Sequence, residues 1–214
     1  MAEGPIVAAG PAEAPFRPLV AFDFDGTLTC RDSFLSFLPW RYGRRRFTLA
    51  IVRLTPALAR YLFDRDRERL KAALVGELMV GESREALTAA AERFAAECAR
   101  SLLRPDAVKC WRAWQKRNAR LVIVTASPEF LVAPFGRGLG TETVIGTRLA
   151  FSDMDTATGA LDGKNCRGEE KVARLKEAFG EDVRLEAAYG DSSGDMAMLA
   201  IAEEAGMKVF GQKP

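Results

Sequence analysis

Pro18-Leu19-Val20-Ala21-Phe22-Asp23-Phe24-Asp25-Gly26-Thr27 is an apolar run that stops at two carboxylates and a glycine. An unbroken apolar run of this length suits a strand buried on both faces, as in a parallel sheet. Asp23 and Asp25 stand two apart, so in extended chain their side chains point the same way and reach one centre. Gly26 lets the chain turn sharply behind them, and Thr27 adds a hydroxyl. Asp-x-Asp-Gly is common, so taken alone the segment reads as a strand followed by an Asp-Gly turn.

The rest of the chain repeats the pattern. Leu121-Val122-Ile123-Val124 ends at Thr125-Ala126-Ser127-Pro128, Leu185 to Tyr189 ends at Gly190-Asp191, and Met207-Lys208-Val209-Phe210 reads as a fourth strand. Helical periodicity follows from Pro128 to about Gly138, from Gly168 to Phe179, and from Ser192 to Ala205, the last two closed by Gly180 and Gly206. Alternating strands and helices predict a doubly wound, Rossmann-like α/β fold with a parallel sheet. In such sheets ligands bind beyond the carboxyl ends of the strands, which is where every polar cluster named here falls. Val144–Leu149 and Gly159–Leu161 are expected to form a small antiparallel pair.

Residues 30–116 differ. Leu70–Val80 and Arg84–Leu103 carry apolar residues at helical spacing, and Pro105-Asp106 starts another helix running to Asn118. This stretch is too long for a loop and reads as a helical cap inserted after the first strand. The expected organisation is a disordered tail over 1–17, a core over 18–29 and 117–214, and the cap over 30–116.

Composition removes several chemistries. The 214 residues include 31 basic and 29 acidic side chains, for a net charge of +2, which gives no case for nucleic-acid binding. There is no histidine, so histidine-based triads, phosphohistidine transfer and His-ligated zinc are excluded, and acid–base work falls to other groups. Cys30, Cys98, Cys110 and Cys166 form no Cys-x-x-Cys pair and read as free thiols of a reducing compartment, predicting a cytoplasmic protein. The tail lacks the basic start and apolar stretch of a signal peptide, and no run is long and apolar enough to predict a transmembrane helix.

Gly190-Asp191-Ser192-Ser193-Gly194-Asp195 brings two more acids to a strand end. Four carboxylates converging on one mouth repel one another without a cation, and hard oxygen ligands of this kind suit Mg²⁺. Thr125 offers a hydroxyl, and the amides of Ala126 and Ser127 a seat for phosphate at a helix start. A lysine is expected to neutralise a phosphoryl oxygen there. Lys171 and Lys164 both qualify by spacing.

Together these segments resemble the haloacid dehalogenase superfamily of phosphohydrolases, over roughly residues 18–29 and 117–211, with the insertion resembling that family's helical class I cap. Gly163-Lys164-Asn165-Cys166-Arg167-Gly168-Glu169-Glu170-Lys171 looks like the subgroup that contains phosphoserine phosphatase. There the motif lysine precedes a Val/Ile-x-x-Leu pattern, matched by Lys171 before Val172-Ala173-Arg174-Leu175. The resemblance implies Asp23 as nucleophile through an aspartyl-phosphate and Asp25 as general acid and base. It implies Thr27, Thr125, Ala126 and Lys171 around the phosphoryl group. Mg²⁺ would be held by Asp23, the backbone carbonyl of Asp25, and Asp191, with Asp195 in support.

For substrate, the resemblance implies a phosphate ester: a small phosphorylated metabolite such as phosphoserine, or a lipid phosphate such as phosphatidylglycerophosphate. The Glu that phosphoserine phosphatases place near the cap start has no counterpart beside Asp32. From Ser33 to Phe63 there are six arginines and no acid. Residues 41–63 therefore have the composition of a segment that contacts an anionic membrane surface, or of a cap helix with solvated arginines. Two rival readings remain at this level: a phosphotransferase or mutase of the same superfamily, and a non-catalytic protein bound at a membrane surface.

Overall fold

The computed structural model describes residues 17–55 and 67–214. The expected tail, apart from Arg17, and residues 56–63 of the arginine-rich segment lie outside the described residues.

Six strands form one sheet: β1 (Leu19–Phe22), β2 (Arg120–Pro128), β3 (Thr143–Phe151), β4 (Ala157–Asp162), β5 (Leu185–Gly190) and β6 (Ala202–Met207). Their order is β4-β3-β2-β1-β5-β6. All neighbours are parallel except β3 and β4. All four β1 residues are buried, as the unbroken apolar run requires of a central strand. They alternate between faces. Val20 and Phe22 join one apolar core with Trp111, Leu131 and Phe135, whereas Leu19 and Ala21 join a second with Leu175, Met198 and Leu199. Helices on both faces make the sheet doubly wound, as expected.

The register sets where the chemistry can be. Phe22 lies opposite both Ile123 and Tyr189. The next residues, Asp23, Val124 and Gly190, therefore stand level at the carboxyl edge of three adjacent strands. The Asp23 amide still donates to the Tyr189 carbonyl at 2.8 Å, so β1 is held up to its first carboxylate.

The described residues form seven helices: α1 (Ser33–Arg53), α2 (Arg67–Leu78), α3 (Arg84–Leu102), α4 (Pro105–Lys116), α5 (Glu129–Leu139), α6 (Glu169–Phe179) and α7 (Met196–Ala200). Asp32 caps α1 by accepting from the Leu35 amide at 2.8 Å. Helix α1 breaks at Gly43 (φ 77°, ψ 151°). Ser83 caps α3 in the same way as Asp32 caps α1, accepting from the Ala86 amide. An aromatic cluster of Phe37 and Trp40 from α1, Phe94 from α3, and Phe130 and Phe135 from α5 ties these helices together. Phe24 turns away from Asp23 and Asp25 and packs edge-on against Phe135, 5.2 Å between centroids.

The expected antiparallel pair is present as β3 and β4, and β3 also extends the main sheet beside β2. This hairpin pins the turn between α2 and α3: Gly81 N donates to Ala157 O and Ala157 N to Glu82 O, at 2.9 and 2.8 Å. Among the described residues, no helix is long and apolar enough to cross a membrane. All four cysteines are free.

The last segment departs from expectation. Helical spacing extends to Ala205, but the structure has a 3₁₀ turn at Ser193–Asp195, stops α7 at Ala200, and makes 202–207 a strand paired with β5. Residues 208–210, expected as strand, lie beyond it. Ala and Glu favour helix intrinsically, but pairing along the open edge of β5 overrides that preference. Gly206 is no helix stop: a Cβ there would come within 2.4 Å of the Tyr189 ring.

Candidate active site

The three level strand ends meet in a cavity of about 660 Å³ lined by Asp23, Asp25, Thr125, Lys171, Asp191 and Asp195 among others. They come from four places: Asp23 and Asp25 follow β1, Thr125 lies on β2, Lys171 on α6, and Asp191 and Asp195 follow β5. Asp23 directly follows β1, and its two oxygens accept from Thr27 Oγ1 at 3.1 Å and Lys171 Nζ at 2.7 Å. Thr27 is buried, and its one proton goes to the carboxylate, so it orients Asp23.

Gly26 permits this arrangement. Its φ is +87°, and a Cβ there would lie 2.2 Å from Asp191 Oδ2. Only glycine meets both demands at low cost.

Lys171 lies on the inner face of α6, fully buried, with Nζ donating to Asp23 Oδ1 (2.7 Å), Asp195 Oδ1 (2.7 Å) and the Val124 carbonyl (2.6 Å). All three ammonium protons are used. Burial alone would lower its pKa, but the Asp23 and Asp195 carboxylates hold it above the ordinary lysine value. Lys164 is exposed, and its carbonyl accepts from Arg174 Nη2.

Asp195 is satisfied on both oxygens. Oδ1 takes Lys171, and Oδ2 accepts from Asp191 N, Ser192 N and Ser192 Oγ at 3.2, 2.9 and 2.9 Å. Burial pushes its pKa up, but Lys171 and the Ser192 donors outweigh that and hold it below the usual range. Asp191 contrasts: among the described residues nothing donates to its carboxylate, and burial and then the Asp195 charge raise its pKa. Carboxylate oxygens of Asp23, Asp191 and Asp195 lie within 4.8 Å of one another. Three acids drawn together, one of them without a donor, form a hard oxygen set that fits a divalent cation. With Asp195 saturated, Asp23 and Asp191 are the side chains with capacity left.

Asp25 has a separate role. Its Oδ1 accepts from the Ser33 amide at 2.6 Å and its Oδ2 from the Ser127 hydroxyl. Burial, then the Asp32 charge, push its pKa up to about 7, while Asp23 is raised by burial to about 6 despite Lys171. Asp25 is thus the carboxyl best placed to exchange a proton near neutrality.

Thr125 is buried where β2 leaves the β3 ladder, between Val124 and Pro128. Its Oγ1 accepts from the Ser127 amide at 3.0 Å, which leaves its own proton to give. That amide is therefore spent within the turn. The Ala126 carbonyl accepts from Thr147 Oγ1 (2.7 Å) and from Lys71 Nζ, which reaches in from α2.

Sequence reasoning did not find Ser33, Lys71, Thr147, Asn165 or Arg167 at this site. Ser33 could have been suspected from its place at a helix start, whereas Ser127, expected at the phosphate seat through its amide, meets Asp25 through its hydroxyl instead. Lys71 and Thr147 carry no local signal, because only the tertiary fold brings α2 and β3 to the pocket.

Comparisons with known proteins agree with this architecture. Residues 20–200 match the family model for haloacid dehalogenase-like hydrolases. Protein CicA of Caulobacter vibrioides is 57% identical over 196 residues, 92% of this chain and 88% of the relative. A crystal structure of a Bordetella pertussis Tohama I protein of unknown function has 26% identity and a TM-score of 0.71, covering 86% of each chain. A structure described as a phospho-aspartyl intermediate analogue of phosphoserine phosphatase has 21% identity and a TM-score of 0.54, covering 88% and 85%. That last likeness carries the fold alone.

Proposed function

Because the chain belongs to the haloacid dehalogenase-like hydrolase family, we propose that it is a Mg²⁺-dependent phosphomonoester hydrolase working through an aspartyl-phosphate on Asp23. The observation that carries this reading is the contact of Lys171 Nζ with Asp23 Oδ1 at 2.7 Å, beside an acidic cluster fit for a cation and an Asp25 tuned near neutrality.

An Asp23 oxygen attacks phosphorus, and the ester P–O bond breaks. Asp25, protonated near neutral pH, gives its proton to the departing alkoxide. The Asp25 carboxylate then takes a proton from water, whose oxygen attacks the phosphorus of the aspartyl-phosphate. Free Asp23 and inorganic phosphate result, and Asp25 is protonated again. Thr27 and Lys171 keep Asp23 aimed. The Thr125 hydroxyl and the Ala126 amide hold phosphoryl oxygens, and Lys171 offsets the repulsion between two anions. Asp23, the Asp25 carbonyl and Asp191 would hold Mg²⁺, with Asp195 fixing Lys171 and the Asp191 loop. The cation supplies charge neutralisation at the phosphoryl oxygens. The cap is the helical stretch after β1, and the hairpin β3–β4 anchors it over the pocket.

Purified protein given an aryl phosphate and Mg²⁺ should release phosphate and stop on chelation. No release, or release indifferent to chelation, contradicts the reading.

We also propose a peripheral contact with anionic membranes through α1. Leu49 and Val52 are exposed, at 57% and 61%, on a face shared with Arg44 and Arg45, which make no ion pair among the described residues. Such a face suits an anionic lipid surface. Co-sedimentation with phosphatidylglycerol vesicles at low salt should be lost in the double variant Arg44→Glu/Arg45→Glu. Absence of binding by the unmodified protein would end this reading.

A further inference from the structure

Asp25 sits on a turn and not on a strand: β1 ends at Phe22, and Gly26 reverses the chain behind it with a φ of 87°. Its carboxyl is therefore aimed by donors from outside the turn. Oδ1 accepts from the Ser33 amide at 2.6 Å, with Thr29 Oγ1 further off at 3.5 Å. The Thr29 proton has a nearer acceptor in the Arg31 carbonyl at 2.7 Å. Oδ2 has one donor among the described residues, the hydroxyl of Ser127. The opposed charges of Asp32 and Lys71 act on Asp25, but among the described residues neither bonds it, so neither sets its direction. One oxygen is thus held by the first residue of α1, and the other by a residue of β2 that lies 102 positions along the chain.

The backbone of Ser127 is pinned from several sides. Its amide donates to Thr125 Oγ1 at 3.0 Å. Pro128 follows it, and a proline confines the residue before it to extended conformations. Val124 and Pro128, on either side, pair with Ile145 and Thr147 of β3. The Ala126 carbonyl accepts from the Thr147 hydroxyl at 2.7 Å. With the backbone fixed in this way, a single side-chain torsion places Ser127 Oγ. Ser127 and Ser33 are both buried. The Ser33 hydroxyl donates to Ser127 Oγ across 3.5 Å, which leaves the Ser127 proton for Asp25. The phosphoryl seat makes no use of this hydroxyl: Thr125 gives its own proton there, and the Ser127 amide is spent within the turn. A buried hydroxyl that neither closes its own turn nor meets solvent is aimed at the carboxyl that exchanges the proton.

We infer that Ser127 is a positioning residue: its hydroxyl holds the Asp25 carboxyl in line with the leaving oxygen and, in the second step, with the attacking water. This rests on the phosphatase reading. Without the hydroxyl only Oδ1 stays anchored, and the carboxyl can swing about that one bond. A displacement of about 1 Å at a reacting group can cost about 100-fold in rate. Asp23 and Lys171 share no bond with the Ser127 hydroxyl among the described residues. Proton transfer to the leaving group is therefore the step that suffers, and attack by Asp23 keeps its geometry.

Two esters of like charge and similar shape test this, phenyl phosphate and 4-nitrophenyl phosphate. Phenolate is much the stronger base, so its departure depends on a donated proton, whereas 4-nitrophenolate leaves readily without one. The value of kcat/KM covers the steps up to that departure. Ser127→Ala should lower kcat/KM for phenyl phosphate about 10-fold more than for 4-nitrophenyl phosphate, a part of what a well-placed general acid contributes. Ser127→Thr, which keeps a hydroxyl, should bring the ratio of the two esters back towards that of the unmodified protein. In an Asp25→Asn background, Ser127→Ala should leave the ratio as it is, because the carboxyl it aims is gone. Each ratio is read within one variant, so a smaller folded fraction cancels. An equal fall for both esters in Ser127→Ala overturns the inference, and so does a change of ratio that persists without Asp25. If the unmodified protein releases phosphate from neither ester, the phosphatase reading fails and this one with it. Turnover with an unchanged ratio sinks the role of Ser127 alone.

Discussion

Asp25 and Lys171 show how burial is turned to use. Asp25 is pushed up to about 7 chiefly by burial, so it can hold a proton in one half-reaction and accept one in the next. Asp25→Asn removes that exchange and should lower phosphate-ester turnover by about 10²–10⁴-fold, with Asp23 still able to bind substrate. A loss confined to KM would count against it. Lys171 is bound on both sides by buried carboxylates. Lys171→Met leaves those carboxylates facing each other without a cation, which should cost about 3–5 kcal/mol in urea unfolding. A variant as stable as the parent would show that the triad does not hold the core. At this scale the sequence was informative where residues fell at strand ends. Asp23, Asp25, Thr125 and Asp191 could be read from position, and Lys171 needed the resemblance to be preferred over Lys164. Lys71 and Arg167 could not be read, because a lone cation on a helix or loop looks like any solvated charge until the fold brings it to a cavity.

The elements that carry the site were legible because their patterns are local. The apolar run of β1 and the glycine-closed helix α6 appear where periodicity puts them. β6 was missed because its pairing with β5 is a long-range fact that Ala and Glu propensities oppose. The turn after β1 is the most demanding local piece. Gly26→Ala combines a φ of +87° with a Cβ 2.2 Å from Asp191 Oδ2. It should destabilise the fold by about 1–3 kcal/mol and weaken Mg²⁺ binding together, because the strain and the displaced ligand share one cause. Thermal unfolding with and without Mg²⁺ measures both. Full Mg²⁺ stabilisation in this variant would separate Asp191 from the cation.

Across the whole molecule the acidic cluster links stability, pH and metal. A carboxyl whose folded pKa exceeds its unfolded value of 3.8 favours the fold while protonated. That contribution is lost as pH rises through about 6 for Asp23 and about 7 for Asp25. Asp195, held below its usual value, acts oppositely and loses its contribution as pH falls. Mg²⁺ competes with protons for the first group, so the rise in Tm it causes should be larger near pH 8 than near pH 5. An equal rise at both would place the cation elsewhere. The sheet and its two helical layers follow from pattern alone, whereas the pocket's contents depend on α2 and the β3–β4 hairpin meeting over β1. All of this converges on one oxygen of Asp23. The most direct test compares Mg²⁺-dependent hydrolysis of an aryl phosphate by the unmodified protein and by Asp23→Asn. Turnover should disappear in the variant while its fold, read by circular dichroism, is kept; turnover at the parent rate would contradict Asp23 as the nucleophile.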